Sequence, residues 1–201
     1  NGTDFSGKIM SRFSSANMEK TVHGTFNLGG KKWAALISNT FSGFDDLKMG
    51  SHGRDEYLRP EFVLQGGFDG TDKIVASENS KIQTYTQYSQ LNFLGKVRFR
   101  PNEKLEINLV GNHSQTSNIP RYDRLIVYKN NKLRYGEWYY GPQKWMMNRL
   151  GIITTKKTKE YDQFRVTLAM QNYEESRHDR RFNNKKLRNQ TETVDAYSIN
   201  I

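Results

Sequence analysis

Residues 85–100 read YTQYSQLNFLGKVRFR, and their period of two decides the fold. Every second residue (Tyr85, Gln87, Ser89, Leu91, Phe93, Gly95, Val97, Phe99) belongs to a mostly apolar set. The residues between them (Thr86, Tyr88, Gln90, Asn92, Leu94, Lys96, Arg98, Arg100) are mostly polar and end cationic. Successive side chains of an extended strand point to opposite faces, so this spacing describes a strand with one apolar and one polar face. After a turn at Pro101-Asn102 the pattern resumes, with Leu105, Ile107 and Leu109 opposite Glu106, Asn108 and Asn112. Phe164, Val166, Leu168 and Met170 alternate in the same way with Gln163, Arg165, Thr167 and Gln171. Toward the ends, Phe5, Ile9 and Phe13 oppose Ser6, Lys8 and Arg12, and Tyr197, Ile199 and Ile201 oppose Ser198 and Asn200. Val22, Phe26 and Leu28 oppose Thr21, His23 and Asn27, while Trp33, Ala35, Ile37 and Phe41 alternate more weakly.

The alternation predicts eight strands, near 5–15, 18–28, 32–42, 83–100, 103–117, 142–155, 160–174 and 190–201. The sixth is the least regular, because its pattern breaks at Met146-Met147. No amphipathic helical stretch competes, and Pro60, Pro101, Pro120 and Pro142 all fall in turns, loops or a strand start. The expected class is all-β and antiparallel. Short turns near Gly29-Gly30, Pro101-Asn102 and 156–159 alternate with longer loops over 43–82, 118–141 and 175–189. Short turns at one end and long loops at the other mark outer-membrane β-barrels, as does a polar alternate face that lines a wet lumen. A soluble antiparallel sandwich carries the same pattern in any single strand. Long loops and charges in the middle of the polar faces favour the barrel.

Bulk composition narrows the classes further. The chain has 201 residues and no cysteine, so neither disulfides nor thiolate metal sites support it. Apolar residues make up 35% and aromatics 12%, so the apolar groups are large and thinly spread. No run of about 18 apolar residues is present to form a transmembrane helix, and no charged-then-apolar leader opens the chain. It starts at Asn1 and stops on the alternation VDAYSINI, which reads as part of a longer protein. The net charge of +10 invites a nucleic-acid partner, but the basic residues are dispersed. The densest cluster, EESRHDRRFNNKKLR at 174–188, mixes six Lys/Arg with three acids and reads as a solvated loop.

Long motifs add a resemblance. IPRYDRLI (119–126), EWYYGPQKWMMN (137–148), YDQFRVTLAMQNYEESRHDRRFN (161–183) and VDAYSIN (194–200) resemble the barrel of TonB-dependent outer-membrane receptors. The similarity is nearest to the Bacteroidetes-type members labelled iron, heme or siderophore receptors. GGKKWAALISNTFSGFDDLKMG (29–50) resembles that group's early barrel strands and first large loop. The family has a 22-stranded barrel closed by an N-terminal plug that carries a TonB box. Neither plug nor TonB box is visible here, so the resemblance implies that 1–201 is the N-terminal part of the barrel domain. It also implies energised uptake of a scarce nutrient, such as an iron–siderophore or heme, across the bacterial outer membrane. The TonB–ExbB–ExbD complex would act through the plug. The remaining strands, a surface lipoprotein and lipid or lipopolysaccharide are the other implied partners.

The stretch GEWYYGPQKWMMNRLG (136–151) crowds aromatic and sulfur side chains together. Trp138, Tyr139, Tyr140 and Trp145 suit an aromatic girdle at the outer membrane interface. Trp138, Tyr139 and Tyr140 are also candidate ligand contacts, with Tyr122 and Arg124 of the preceding YDRL, where an Asp–Arg pair stabilises a loop. A heme cargo needs an axial His or Tyr. Of the four histidines, His52 and His178 fall in long loops, whereas His23 lies on a polar strand face and His113 near a strand end. GGFDGTDK (66–73) sets Asp69 and Asp72 around a glycine, but lacks the spacing of a Ca²⁺ loop and reads as a tight turn. No GxSxG, HExxH or P-loop pattern occurs. Adjacent carboxylates such as Asp45-Asp46 and Glu174-Glu175 point apart in an extended chain. No catalytic, metal or resident cofactor site is expected. The alternatives are a self-contained eight-stranded barrel acting as an adhesin or lipid-binding protein, and a soluble nucleic-acid-binding β-domain.

Overall fold

The computed structural model describes residues 2–66 and 71–201. Eight long strands dominate: β1 (Asp4–Ser14), β2 (Glu19–Gly29), β3 (Trp33–Phe44), β4 (Tyr88–Asn102), β5 (Leu105–Thr116), β6 (Lys144–Thr154), β7 (Phe164–Arg181) and β8 (Arg188–Asn200). Each pairs antiparallel with the next, in one continuous meander. The all-β, antiparallel class is therefore as expected. β1 and β8 do not pair with each other, so the sheet is open at both edges.

The register aligns the alternating patterns. One cross-strand row reads Phe5, Leu28, Ala35, Val97, Leu109, Leu150, Leu168 and Ile199, all apolar. The adjacent row, on the opposite face, reads Asp4, Gly29, Ala34, Arg98, Asn108, Gly151, Thr167 and Asn200. Lys96, Glu106 and Arg165 share that second face with Arg98. Hydrogen bonds knit it together. The Thr21 hydroxyl donates to Glu19 at 2.9 Å, His23 Nδ1 meets Thr40 at 2.7 Å, and Ser114 donates to Asn92 at 2.7 Å. Asn108 donates to Glu106 at 2.9 Å, and Arg12 pairs with Glu19 at 3.3 Å. The apolar face instead fills gaps with rings: a Cβ on Gly7 would meet the Phe26 ring at 2.9 Å, and one on Gly95 would meet Phe93 at 3.5 Å.

Among the described residues, no second layer covers the apolar face. Only Val63, Val110, Leu125 and Leu133 are buried hydrophobics among the described residues, whereas Phe5, Ile9, Phe13, Tyr197 and Ile199 are each at least 61% exposed. The accessible surface is 13,812 Å², against about 9,800 Å² for a compact monomer of this mass. The excess of about 4,000 Å² means that much of the sheet is built to face something other than this chain.

Several boundaries differ from the sequence reading. β4 starts at Tyr88, not 83, because Asp46 Oδ1 accepts from Thr86 N–H at 2.7 Å and Gln87 N–H at 3.1 Å. Tyr85 just before them turns into the left-handed region with φ of 68°. Pro101-Asn102 ends β4 in an irregular register rather than forming the turn. The 156–159 turn widens to 155–163. The Met146-Met147 break does not occur: Met146 stands on the apolar face opposite His113, and Met147 on the polar face opposite Asn112. The expected 175–189 loop is mostly strand, because β7 runs to Arg181 and leaves only 182–187 as connection. Its charges pair along and across strands: Arg177 with Glu175 at 3.2 Å and Arg188 with Asp179 at 2.6 Å. One end of the sheet thus carries connections 30–32, 103–104 and 155–163, and the other carries 15–18, 45–87, 117–143 and 182–187.

Candidate functional site

The long-loop end is where polar chemistry collects. β7 has 18 residues and β6 has 11, so β7 projects past its neighbour. Its free edge is taken by Tyr135–Tyr140, a strand inside what the sequence suggested was loop. Tyr140 pairs with Arg177, Tyr139 with His178, and Trp138 with Asp179, while Ile119-Pro120 closes on Tyr140 and Tyr139. Two glycines permit this close approach. A Cβ on Gly136 would lie 2.5 Å from Asp72 Oδ2, and one on Gly141 would overlap the Ser176 hydroxyl and lie 2.8 Å from His178 Nε2. Gly141→Ala should therefore detach the top of this strand, at about 1–3 kcal/mol. The expected readout is faster amide exchange at 135–141, partly restored by adding Ser176→Ala. Unchanged exchange would mean that the strand is not seated this way.

Arg180 is the central tie. Its guanidinium donates to both Asp72 oxygens, at 2.7 and 2.9 Å, and to Glu137 Oε1 at 2.6 Å. Asp72 also accepts from Asn183 N–H at 2.8 Å, and its own N–H donates to Asn183 Oδ1 at 2.7 Å. Burial acts on the Asp72 carboxyl to raise its pKa, but the Arg180 and Asn183 hydrogen bonds outweigh burial and hold it below the usual carboxylate range. Asp72 is thereby engaged by a cation of the chain itself, and Asp69 lies outside the described residues.

Two aromatic–guanidinium groups flank this tie. Arg121 forms a bidentate pair with Asp123, both bonds at 2.7 Å, and donates to the Tyr140 hydroxyl at 2.6 Å. Its guanidinium also lies 4.8 Å from the Trp138 ring centre. Arg59 is only 2% exposed and sits 4.9 Å from the Tyr122 ring centre. Its Nε and Nη1 have no hydrogen-bond partner among the described residues. Burial is the largest influence on Arg59 and lowers its pKa, against the opposing pull of Tyr122, Tyr85 and Asp46. A cavity of about 240 Å³ opens nearby, lined by residues including Gln65, Tyr85, Asn118, Glu137, Trp138 and Tyr139.

The sequence candidates separate. Trp138 and Tyr139 reach the cavity; Tyr140 faces Arg121, and Tyr122 faces Arg59. Arg124 approaches Asp123 at 3.6 Å, a looser pair than the one Arg121 makes. Because 135–140 is a strand, its aromatics alternate: Trp138 and Tyr140 meet edge to face at 5.4 Å, while Tyr139 stacks on His178 at 4.6 Å. Trp145 is not part of an outward girdle: it pairs with Tyr173 and Ser114 on the polar face and donates to Gln171 at 3.2 Å. His178 has both ring nitrogens engaged, by Asn189 and Ser176 at 2.8 Å each. It is therefore poorly disposed to ligate iron. His52 is exposed in a turn and joins neither group. His113 lies near the end of β5, as expected, on the apolar face between Phe93 and Met146. Among the described residues, no three or more His, Asp or Glu are grouped to hold a metal.

Arg59, Arg121 and Arg180 were missed because each finds its partners far along the chain or in a segment read as loop. The one signal at hand was the aromatic content of YGEWYY, which favours strand. No family model, curated protein or solved structure matches this chain.

Proposed function

We propose that this chain is a sector of an outer-membrane β-barrel receptor, energised by TonB, that takes up a scarce nutrient such as a ferric chelate. The observation that carries the membrane part is the division of one open sheet into an uncovered apolar face and a hydrogen-bonded polar face. Phe5 to Phe13 spans eight residue steps, about 27 Å along the strand. Tilted by about 35–45°, that becomes about 19–22 Å of membrane depth, close to the usual apolar band. The belt also crosses the strands obliquely. The row through Ile9, the middle of β1's apolar set, ends on Asn172 and Asp195, whereas the apolar row ending on Ile199 starts at Phe5. A drift of this kind is what strands tilted within a barrel require.

On this reading Lys96, Arg98, Glu106 and Arg165 face the lumen, and the arginine–tyrosine end faces outward to receive cargo. The engagement of both His178 nitrogens favours a chelate held by arginine and aromatic contacts over axially ligated heme. Uptake itself rests on the motif resemblance, with TonB–ExbB–ExbD acting through a plug and a surface lipoprotein assisting capture. A self-contained eight-stranded barrel would need β1 paired with β8, and the sheet lacks that pairing.

Tryptophan fluorescence tests the membrane part. Trp33 stands on the apolar face at 56% exposure, and Trp145 on the polar face. In single-tryptophan variants reconstituted into vesicles of acyl-brominated phospholipid, Trp33 should be strongly quenched and Trp145 hardly at all. Equal quenching, or none at Trp33, would sink the reading.

A further inference from the structure

Positive charge gathers in two segments of the long-loop end, whereas the 45–87 connection beside them is net acidic. Residues 117–143 hold five Lys/Arg against two acids, and residues 175–189 hold six against two, so seven of the ten net positive charges lie in these segments. Five of these eleven cations have an ion pair, and of the six without one among the described residues four share a single hollow. Lys129, Lys132, Arg134 and Arg181 line a cavity of about 430 Å³, together with Phe182 and Leu133. No carboxylate lines it, and none of the four cations has an ion pair among the described residues. Neighbouring acids are already engaged: Glu61 by the Tyr128 hydroxyl at 2.7 Å, Asp72 and Glu137 by Arg180, and Asp179 by Arg188.

The pocket is built on ordered backbone. Tyr128–Lys129 pairs with Lys132–Leu133 around Asn130-Asn131, whose φ values of 52° and 58° mark a tight two-residue hairpin turn. Leu133 beneath it is 2% exposed, and Phe182 N–H donates to Arg134 O at 3.1 Å, joining the hairpin to the end of β7. The Arg134 guanidinium rests 5.0 Å from the Tyr135 ring centre. Four like charges around one hollow repel each other, and a bound anion reverses that repulsion. The volume lies within the roughly 300–1,000 Å³ range of small-ligand sites.

We infer that this cavity binds a compact polyanion of the phosphate type, carrying two or more adjacent phosphate charges. Lysines supply point charges and arginines forked donors, the usual complement to clustered phosphate oxygens. The inference does not depend on the membrane reading, since the cations and the hairpin stand whether or not the sheet meets lipid. The phosphate could be free in solution or borne on a lipid headgroup, and the test separates these sources.

Calorimetry with inorganic pyrophosphate is compared between the parent protein and Lys129→Gln/Lys132→Gln, whose altered side chains are exposed and make no hydrogen bond or ion pair among the described residues. In parallel, flotation uses vesicles of neutral phospholipid with and without phosphatidic acid. Pyrophosphate binding that weakens about tenfold per cation removed, and falls with added salt, would support a free phosphorylated ligand. Capture only by phosphatidic acid vesicles, lost in the same variant, would support a headgroup. Arg181→Gln should weaken whichever binding is found, which guards against a local effect of the hairpin change. Neither form of binding, or binding indifferent to these substitutions, would overturn the proposal. Circular dichroism of each variant confirms that the sheet is intact.

Discussion

Arg180→Met should release the 45–87 loop from the top of the sheet. Amide exchange across 71–87 and 135–140 is expected to rise by about two to four orders of magnitude, the equivalent of about 3–5 kcal/mol. The cost is large because Asp72 has a side chain only 1% exposed and Arg180 only 10%, so removing the cation strands a carboxylate away from water. Adding Asp72→Asn to Arg180→Met should recover part of the loss, since no buried charge is then left at that position. Equal exchange in the single variant and the parent would show that the loop is held by other contacts. The pH dependence has a definite sign. The Asp72 pKa is lower folded than unfolded, so its contribution is complete above the ordinary carboxylate value and is lost as pH falls through the lowered one. Loop release by acid should therefore begin only below about pH 4, and Arg180→Met should abolish that step.

Val97→Arg should destabilise the protein in phospholipid vesicles by about 2–4 kcal/mol, as a cation does on the lipid face of a barrel. Lys96 and Arg98 flank this position and are tolerated, so the substitution adds a similar charge one residue away, on the other face. A solvent-exposed valine replaced by arginine on a water-facing sheet would cost only about 0.5 kcal/mol or less. Reversible urea unfolding from vesicles, with Lys96→Val as the opposite-face control, measures the difference. A penalty for both substitutions, or for neither, would remove the basis for assigning the apolar face to lipid. Folding of the parent in detergent-free buffer would do the same.

The eight long strands were legible because each hides nothing. Their apolar and polar sets alternate, most clearly over 85–100, and that period survives whatever the strand packs against. Legibility failed where both faces are polar. The stretch EESRHDRR looked like a solvated loop because neither set is apolar, yet it continues β7 with Glu175, Arg177 and Asp179 finding partners. It also failed at Tyr135–Tyr140, where bulky side chains on both faces mask the alternation.

The sequence by itself determined an antiparallel meander with one apolar face, the approximate span of every long strand but β7, and the end that carries the long loops. These are consequences of local period and turn chemistry. Only the tertiary structure decided how the loops close on the sheet, because those contacts join residues far apart in the chain. Arg180 meets Asp72 across a separation of 108 residues, and Tyr128 meets Glu61 across 67. Arg59 finds Tyr122 in a different loop, and Lys129 and Lys132 are brought opposite Arg181 only because β7 outruns β6. A period records which way a side chain points; what it meets there depends on where the rest of the chain has gone.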